Sequence, residues 1–233
     1  MVEVLLDFPI HIPLLEAHRY MGFPLGFDIP KQIARMIDEE VALAADLITP
    51  KATYYTMDYD KNNNVVYNKE DNLNLCGASI NNHLVNCTQA TLFTCTIGPN
   101  LDTLIDTCFK TGEFTKALVL DAIGSAAVEY VADTLNQYLS TAAYRQRYSL
   151  VSRFSPGYGG WDLAIQKDLV ALAGGSAIGI TVTDTSLLIP RKSVSGVIGW
   201  QPGLNLNVNT PPPCELCQIR KCKNPICKGG VSQ

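Results

Sequence analysis

Apolar positions recur three and four residues apart in several long stretches of the chain, which is the spacing of one helix face. Ile33, Met36, Ile37, Val41, Ala44, Ala45 and Ile48 follow it, with Asp28 as the expected N-cap, Pro30 in the first turn and Pro50 as the stop. The same period predicts helices over 101–110 and from 113 to about 144, the second being the longest element expected. A short helix over 11–21 closes at Gly22, and a further one over 163–173 stops at Gly174-Gly175. Elsewhere the pattern changes to β-branched and alternating. Residues 53–59 and 65–67 flank the turn Asp60-Lys-Asn-Asn-Asn64, which predicts a hairpin. Residues 90–97, 178–182 and 193–200 also read as strands, and 1–10 as a weak edge strand. Between the last two main strands lies an apolar run, Ser186-Leu-Leu-Ile-Pro190. These strands do not alternate with helices in a βαβ rhythm. The expectation is an α+β fold whose mainly antiparallel sheet is flanked by helices. There is no internal repeat.

Composition narrows the class. The 233 residues are 47% hydrophobic and 17% charged, enough apolar material for a substantial core. A net charge of −4 gives no reason to expect a nucleic-acid partner. No run of eighteen apolar residues is present, so no membrane-spanning segment is expected. The opening Met1-Val-Glu-Val-Leu-Leu-Asp7 carries an acid where a signal peptide would carry a base, which predicts a cytoplasmic protein. In that compartment eight cysteines read as thiols or metal ligands more than as disulfides. Cys76, Cys87, Cys95 and Cys108 sit among apolar residues and are expected to act as small core hydrophobes.

Three features carry candidate chemistry. The first is the loop Arg153-Phe-Ser-Pro-Gly-Tyr-Gly-Gly-Trp-Asp162. Its glycines permit close backbone approach, Arg153 offers a donor fork suited to a carboxylate, and Tyr158 and Trp161 offer flat faces. A rigid connection between helices explains the same residues equally well. The second is the pair Glu129 and Asp133, four apart on one face of the long helix. Like charges at that spacing repel, so each calls for a partner elsewhere or for open solvent. The third is the C-terminal Cys214, Cys217, Cys222 and Cys227, reached through a Pro- and Asn-rich stretch. A C-x2-C pair on one turn opens many zinc and iron–sulfur sites, and Lys221, Lys223 and Lys228 would favour thiolates. Free or redox-active thiols are the alternative. The division expected is a domain over 1–201 and a linker with a cysteine-rich tail over 202–233.

With these residues in view, the chain resembles the activation (reactivation) domain of cobalamin-dependent methionine synthase, and in particular the stand-alone proteins related to that domain. Arg153-Phe-Ser-Pro-Gly-Tyr158 is similar to the family's R-x-x-P-G-Y loop. Ile180-Thr-Val-Thr-Asp-Thr-Ser-Leu-Leu-Ile-Pro190 and Lys192-Ser-Val-Ser-Gly-Val-Ile-Gly-Trp200 resemble its apolar strand, proline and S-V-S-G segment. The helix Val128-Glu-Tyr-Val-Ala-Asp133 places acids where the family does. The likeness is strongest from about 113 to 200.

The resemblance implies binding of S-adenosylmethionine and support for reductive methylation of cob(II)alamin held by a partner, within a cobalamin-dependent methyltransferase system. The partner would be a separate corrinoid protein, or a methionine synthase lacking its own activation domain, with a flavodoxin-like electron donor as a further candidate. Arg153 would pair with the methionyl carboxylate, and backbone groups near Ser155 and Gly157 would hold the adenine or the amino group. Tyr158 would stand between cofactor and corrin, and Glu129 or Asp133 would receive the amino group. The chain departs from the family after its P-G-Y: Gly159-Gly160-Trp161-Asp162 replaces a Pro-Ala-Cys-Pro run with a nearby His. It also has no Asp-x-His-x-x-Gly cobalamin motif; His11, His18 and His83 lie in other contexts. The cysteine tail is foreign to the synthase domain. It suggests an alternative role, a corrinoid-protein accessory module passing electrons through a zinc or iron–sulfur tail without a methyl donor.

Overall fold

The computed structural model describes residues 1–204 apart from positions 7, 10 and 24–27. Its centre is an antiparallel sheet. The long strands β2 (Lys51–Asp60), β5 (Gln89–Thr96) and β9 (Ser193–Pro202) lie side by side in that order. β3 (Val65–Tyr67) and β4 (Asn72–Asn74) extend the sheet beyond β2 as a meander, β1 (Glu3–Leu5) pairs with the other end of β2, and β6 (Tyr148–Leu150) closes the far edge against β9. A two-stranded hairpin, β7 (Thr181–Val182) and β8 (Leu188–Ile189), stands apart from it. All pairings are antiparallel, as the alternation of β-branched runs and turns predicts.

Both faces of the central strands are covered, and this explains the unbroken apolar reading of 90–97. Along β5, Phe93 and Cys95 enter one core while Ala90 and Leu92 enter another. The first core is filled by α1 (Leu14–Tyr20), α2 (Lys31–Leu47), α4 (Asn100–Thr111) and α5 (Phe114–Arg145). The second is filled by α3 (Ala78–His83), α6 (Gln166–Leu172) and the loop between β6 and α6. Threonines that would be orphaned in a buried strand satisfy one another across the ladder: Thr53 to Thr94 and Thr56 to Thr91, each at 2.7 Å.

α5 dominates the helical layer. Its 32 residues span about 48 Å. Its small residues permit close approach: a Cβ at Gly124 would lie 2.9 Å from Leu101 of α4 and 3.1 Å from the stem of Lys192.

Several expectations need correction. α2 begins at Lys31 with Pro30 at its N-cap position, so Asp28 does not cap it. In the segment 178–182 only Thr181–Val182 pairs as a strand; Ile178 ends a 3-10 turn, Gly175–Ile178, which lies between Gly174 and Gly179 in left-handed conformations. The helix over 163–173 starts as a 3-10 turn capped by the Asp162 carboxylate, which accepts from the Ala164 N–H at 2.9 Å. The tail cysteines and most of the expected linker lie outside the described residues.

Candidate functional site

The loop 153–162 follows β6 and turns back across the sheet. Two backbone bonds tie its start to β9: Phe154 N–H donates to Val197 C=O at 3.0 Å, and Val197 N–H donates to Phe154 C=O at 2.9 Å. The approach is close because β9 has glycine there. A Cβ at Gly196 would lie 2.8 Å from the Phe154 carbonyl oxygen and 3.0 Å from Ser155 Oγ. α3 braces the loop from outside, with His83 Nε2 2.7 Å from the Ser152 carbonyl oxygen and the His83 ring 5.0 Å from that of Phe154.

Within the loop, Gly157 adopts φ +88°, a value open to glycine at little cost. Its N–H donates to the Trp161 carbonyl at 2.8 Å, and Trp161 N–H returns a bond to Tyr158 at 2.9 Å. The Gly157 donor is therefore already engaged. Trp161 is not a recognition face: its ring is buried, and its indole N–H donates to the Leu75 carbonyl at 2.6 Å. An aromatic in a glycine-rich loop serves here as the anchor that fixes the loop on the second core. Tyr158 is the opposite case, 72% exposed.

Arg153 reaches towards α5. One guanidinium nitrogen lies 3.2 Å from Glu129 Oε2 and the other 2.6 Å from Asp133 Oδ1. The fork thus bridges the two acids whose i,i+4 spacing called for partners. The three expected site residues are brought together, but with one another. Arg153 is mostly covered, while Glu129 and Asp133 are partly open to solvent.

A cleft of about 290 Å³ opens beside this triad. Tyr20 of α1 and Ser125, Val128 and Glu129 of α5 line it. So do Ser155, Pro156 and Tyr158 of the loop, Gln166 of α6, and the residues from Arg191 to Ser195 that lead into β9. Of the residues expected at the site, Glu129, Ser155 and Tyr158 line the cleft; Arg153, Gly157 and Asp133 do not. Its two cations are already paired: Arg191 with Asp106 at 2.7 Å, and Lys192 with Asp121 at 2.7 Å and Ser125 Oγ at 3.0 Å. Burial, with the Glu129 carboxylate adding to it, raises the Tyr20 phenol above its ordinary value, so Tyr20 stays a neutral donor in the lining. Below the triad, burial pushes the Cys95 thiol far up, so it stays protonated and inert.

Tyr20, Gln166, Arg191 and Lys192 were not found from sequence. Each lies on an element whose proximity to the loop is set by the fold, and only the S-V-S-G segment beside the last two gave a signal. Cys87, Cys95 and Cys108 are buried, as expected of small core hydrophobes, whereas Cys76 is exposed. Among the described residues no group of three or more His, Cys, Asp or Glu is placed to hold a metal, and no helix is long and apolar enough to cross a membrane.

No family model matches the chain, and no curated protein matches it. Among solved structures, a similar one is the MetH reactivation domain bound to AdoHcy, with a TM-score of 0.55 over 88% of this chain and 80% of that chain. The fold is that of the MetH reactivation domain. Identity to that structure is 14%, so the likeness to the MetH reactivation domain is one of backbone architecture, and the roles of side chains rest on the geometry above.

Proposed function

We propose that the cleft beside the Arg153 triad binds S-adenosylmethionine, and that the protein is a reactivation factor for a separate corrinoid protein or a methionine synthase without its own activation domain. One observation carries this reading. Glu129, Ser155 and Tyr158 converge on a single cleft, and Arg153 is paired with the lining Glu129, in a fold whose solved neighbour was determined with AdoHcy. At about 290 Å³ the cleft lies near the lower end of the range for small-molecule sites.

The donor set suits a zwitterionic amino-acid end. The triad holds one cation against two anions, so it already has a surplus negative charge. A ligand carboxylate would share the Arg153 fork while the ligand ammonium settles against Glu129, and the local charge is unchanged by that exchange. Glu129 and Asp133 are partly solvated, so either can move outward at small cost. Ser155 and the protonated Tyr20 supply neutral donors, and exposed Tyr158 stands where a partner would approach. When bound, S-adenosylmethionine supplies the methyl group for a partner-held cobalamin reduced by an external donor such as a flavodoxin-like protein. This chain's residues bind and orient it. The proposed division is a binding domain over 1–201, with 202–233 as linker and tail.

The test is titration calorimetry with S-adenosylmethionine and AdoHcy. Saturable binding below millimolar concentration is expected, and its absence for both ligands refutes the proposal. The engagement of Arg153 by its own acids favours one second reading, an accessory module that needs no methyl donor and passes electrons through a zinc or iron–sulfur site at Cys214, Cys217, Cys222 and Cys227. That reading requires metal in the purified full-length chain and no binding of either ligand.

A further inference from the structure

We infer that Gln166, fixed in orientation by Ser195, is the residue that reads the nucleoside end of the cleft's ligand; the inference rests on the S-adenosylmethionine reading above. Gln166 is the first residue of α6 and is 7% exposed, and Ser195 lies near the start of β9, opposite Thr94 of β5, at 3% exposed. Both line the cleft. The Ser195 hydroxyl donates to Gln166 Oε1 at 2.8 Å, in a pair closed to bulk solvent. That bond takes up the acceptor end of the amide and sets which way it faces. Among the described residues the amide nitrogen of Gln166 meets no acceptor. Gln166 lines the cleft and its amide nitrogen is not among the sealed, unpartnered groups of the core, so with the oxygen held by Ser195 the nitrogen is the end left to donate to a ligand acceptor.

Charge decides which part of the ligand lies there. Every charged side chain lining the cleft belongs to or is paired with the helical layer of α4 and α5: Glu129 with Arg153, Lys192 with Asp121, Arg191 with Asp106. The lining residues contributed by the 153–162 loop, α6 and β8, namely Ser155, Pro156, Tyr158, Gln166 and Leu188, are uncharged. A zwitterionic end belongs with the charged residues of the helical layer. A nucleoside is neutral and rich in acceptors, at its ring nitrogens and ribose oxygens, and it belongs with the uncharged ones. Among these Gln166 is the polar group held by a buried partner. The S-V-S-G segment then has a defined use: Ser195 orients the amide, and Gly196 lets the loop carrying Ser155 close over it.

The experiment compares three ligands on the full-length chain by ligand-observed NMR titration: AdoHcy, methylthioadenosine, which keeps only the nucleoside end, and S-methylmethionine, which keeps only the sulfonium amino-acid end. The variants are Gln166→Met, which keeps the volume and removes the donor, and Ser195→Ala, which frees the amide to rotate, each with a melting curve to confirm folding. Losing one neutral hydrogen bond should weaken AdoHcy and methylthioadenosine by the same factor, about three- to tenfold, and leave S-methylmethionine unchanged. Ser195→Ala should show the same selectivity with a smaller loss. Should Gln166→Met fold poorly, Gln166→Glu is the second variant; turning the donor into an acceptor should abolish methylthioadenosine binding and spare S-methylmethionine. Equal weakening of all three ligands, or unchanged binding of methylthioadenosine, overturns the inference while leaving the wild-type affinity for AdoHcy, and so the cofactor reading, intact. A wild-type chain that binds none of the three overturns both.

Discussion

Replacing Gly196 by alanine tests whether the loop 153–162 owes its position to one missing side chain. The added Cβ would lie 2.8 Å from the Phe154 carbonyl oxygen, 2.9 Å from Phe93 Cε1 and 3.0 Å from Ser155 Oγ. Phe93 is buried in the first core and cannot withdraw, and the Phe154 oxygen is backbone. Relief therefore requires the loop to move off β9 by about half an ångström, against the 2.9 and 3.0 Å bonds that join Phe154 to Val197. Overpacking of this kind costs about 1–3 kcal/mol. For a domain of this size each kcal/mol lowers the melting temperature by about 2–4 °C, so a fall of about 4–8 °C is expected for the middle of that range. AdoHcy affinity should fall too, because the displaced segment carries Ser155 and Tyr158. Gly112→Ala is the control. That residue has φ +84° at the end of α4 with nothing within 4 Å of the added Cβ. It should lose about 1 kcal/mol through backbone strain and leave ligand binding unchanged. If Gly196→Ala melts within a degree of wild type and binds AdoHcy normally, close packing on β9 does not set the loop's position.

Arg153→Lys should reach only one of the two acids, lowering the melting temperature by less than about 4 °C as befits a partly exposed pair, while weakening AdoHcy about tenfold; melting loss with intact affinity would make Arg153 a stability residue. Alkylation of the native protein at pH 8, mapped by peptide mass, should label exposed Cys76 and spare buried Cys87 and Cys95. Burial pushes the Cys87 thiol up to about 11. The folded state therefore holds that proton more tightly than the unfolded chain, and this share of stability is complete below about pH 8.5 and lost as pH rises through 11. Denaturant titrations across that window should show the decline, and Cys87→Ala should reduce it. Elemental analysis of anaerobically purified full-length protein should find zinc or iron, and loss of that metal in a Cys214→Ser, Cys217→Ser variant would assign it to the tail; metal-free protein with four freely titrating tail thiols refutes that assignment.

What the sequence made legible follows from the length of each pattern. α2, α4 and α5 run for three turns or more with a steady apolar period, and β2, β5 and β9 run for eight to ten residues, so local pattern and final packing agree. β4, α3 and β6 were missed, with three, six and three residues respectively. Segments that short carry little period of their own and are fixed by their neighbours. β6 exists because Tyr148, Ser149 and Leu150 meet Pro202, Gln201 and Trp200 at the end of β9. The start of α2 moved from Asp28 to Pro30 for a related reason: a good capping residue raises the likelihood of a helix start nearby without fixing the turn at which it occurs.

The site divides along the same line. Arg153, Glu129 and Asp133 could be picked out because charge in an apolar context demands a partner, and the demand is visible in one dimension even when the partner is not. The structure supplies it across 24 and 20 residues of sequence. Trp161 could not be sorted, because its neighbours are glycines whichever way the ring points; the buried bond to Leu75, 86 residues away, decides it. Gln166 and Ser195 carry no charge; Gln166 does not stand out where it sits in the chain, and Ser195 shows only as part of the S-V-S-G segment, with no partner indicated. Their significance comes from being the two ends of one buried hydrogen bond on opposite elements, α6 and β9. Charged chemistry therefore shows in the sequence as a local cost, whereas neutral recognition shows only after the fold has brought the partners together. A ligand with one zwitterionic end and one neutral, acceptor-rich end draws on both kinds of site. Its charged end would fall where the sequence pointed, and its neutral end where only the structure does.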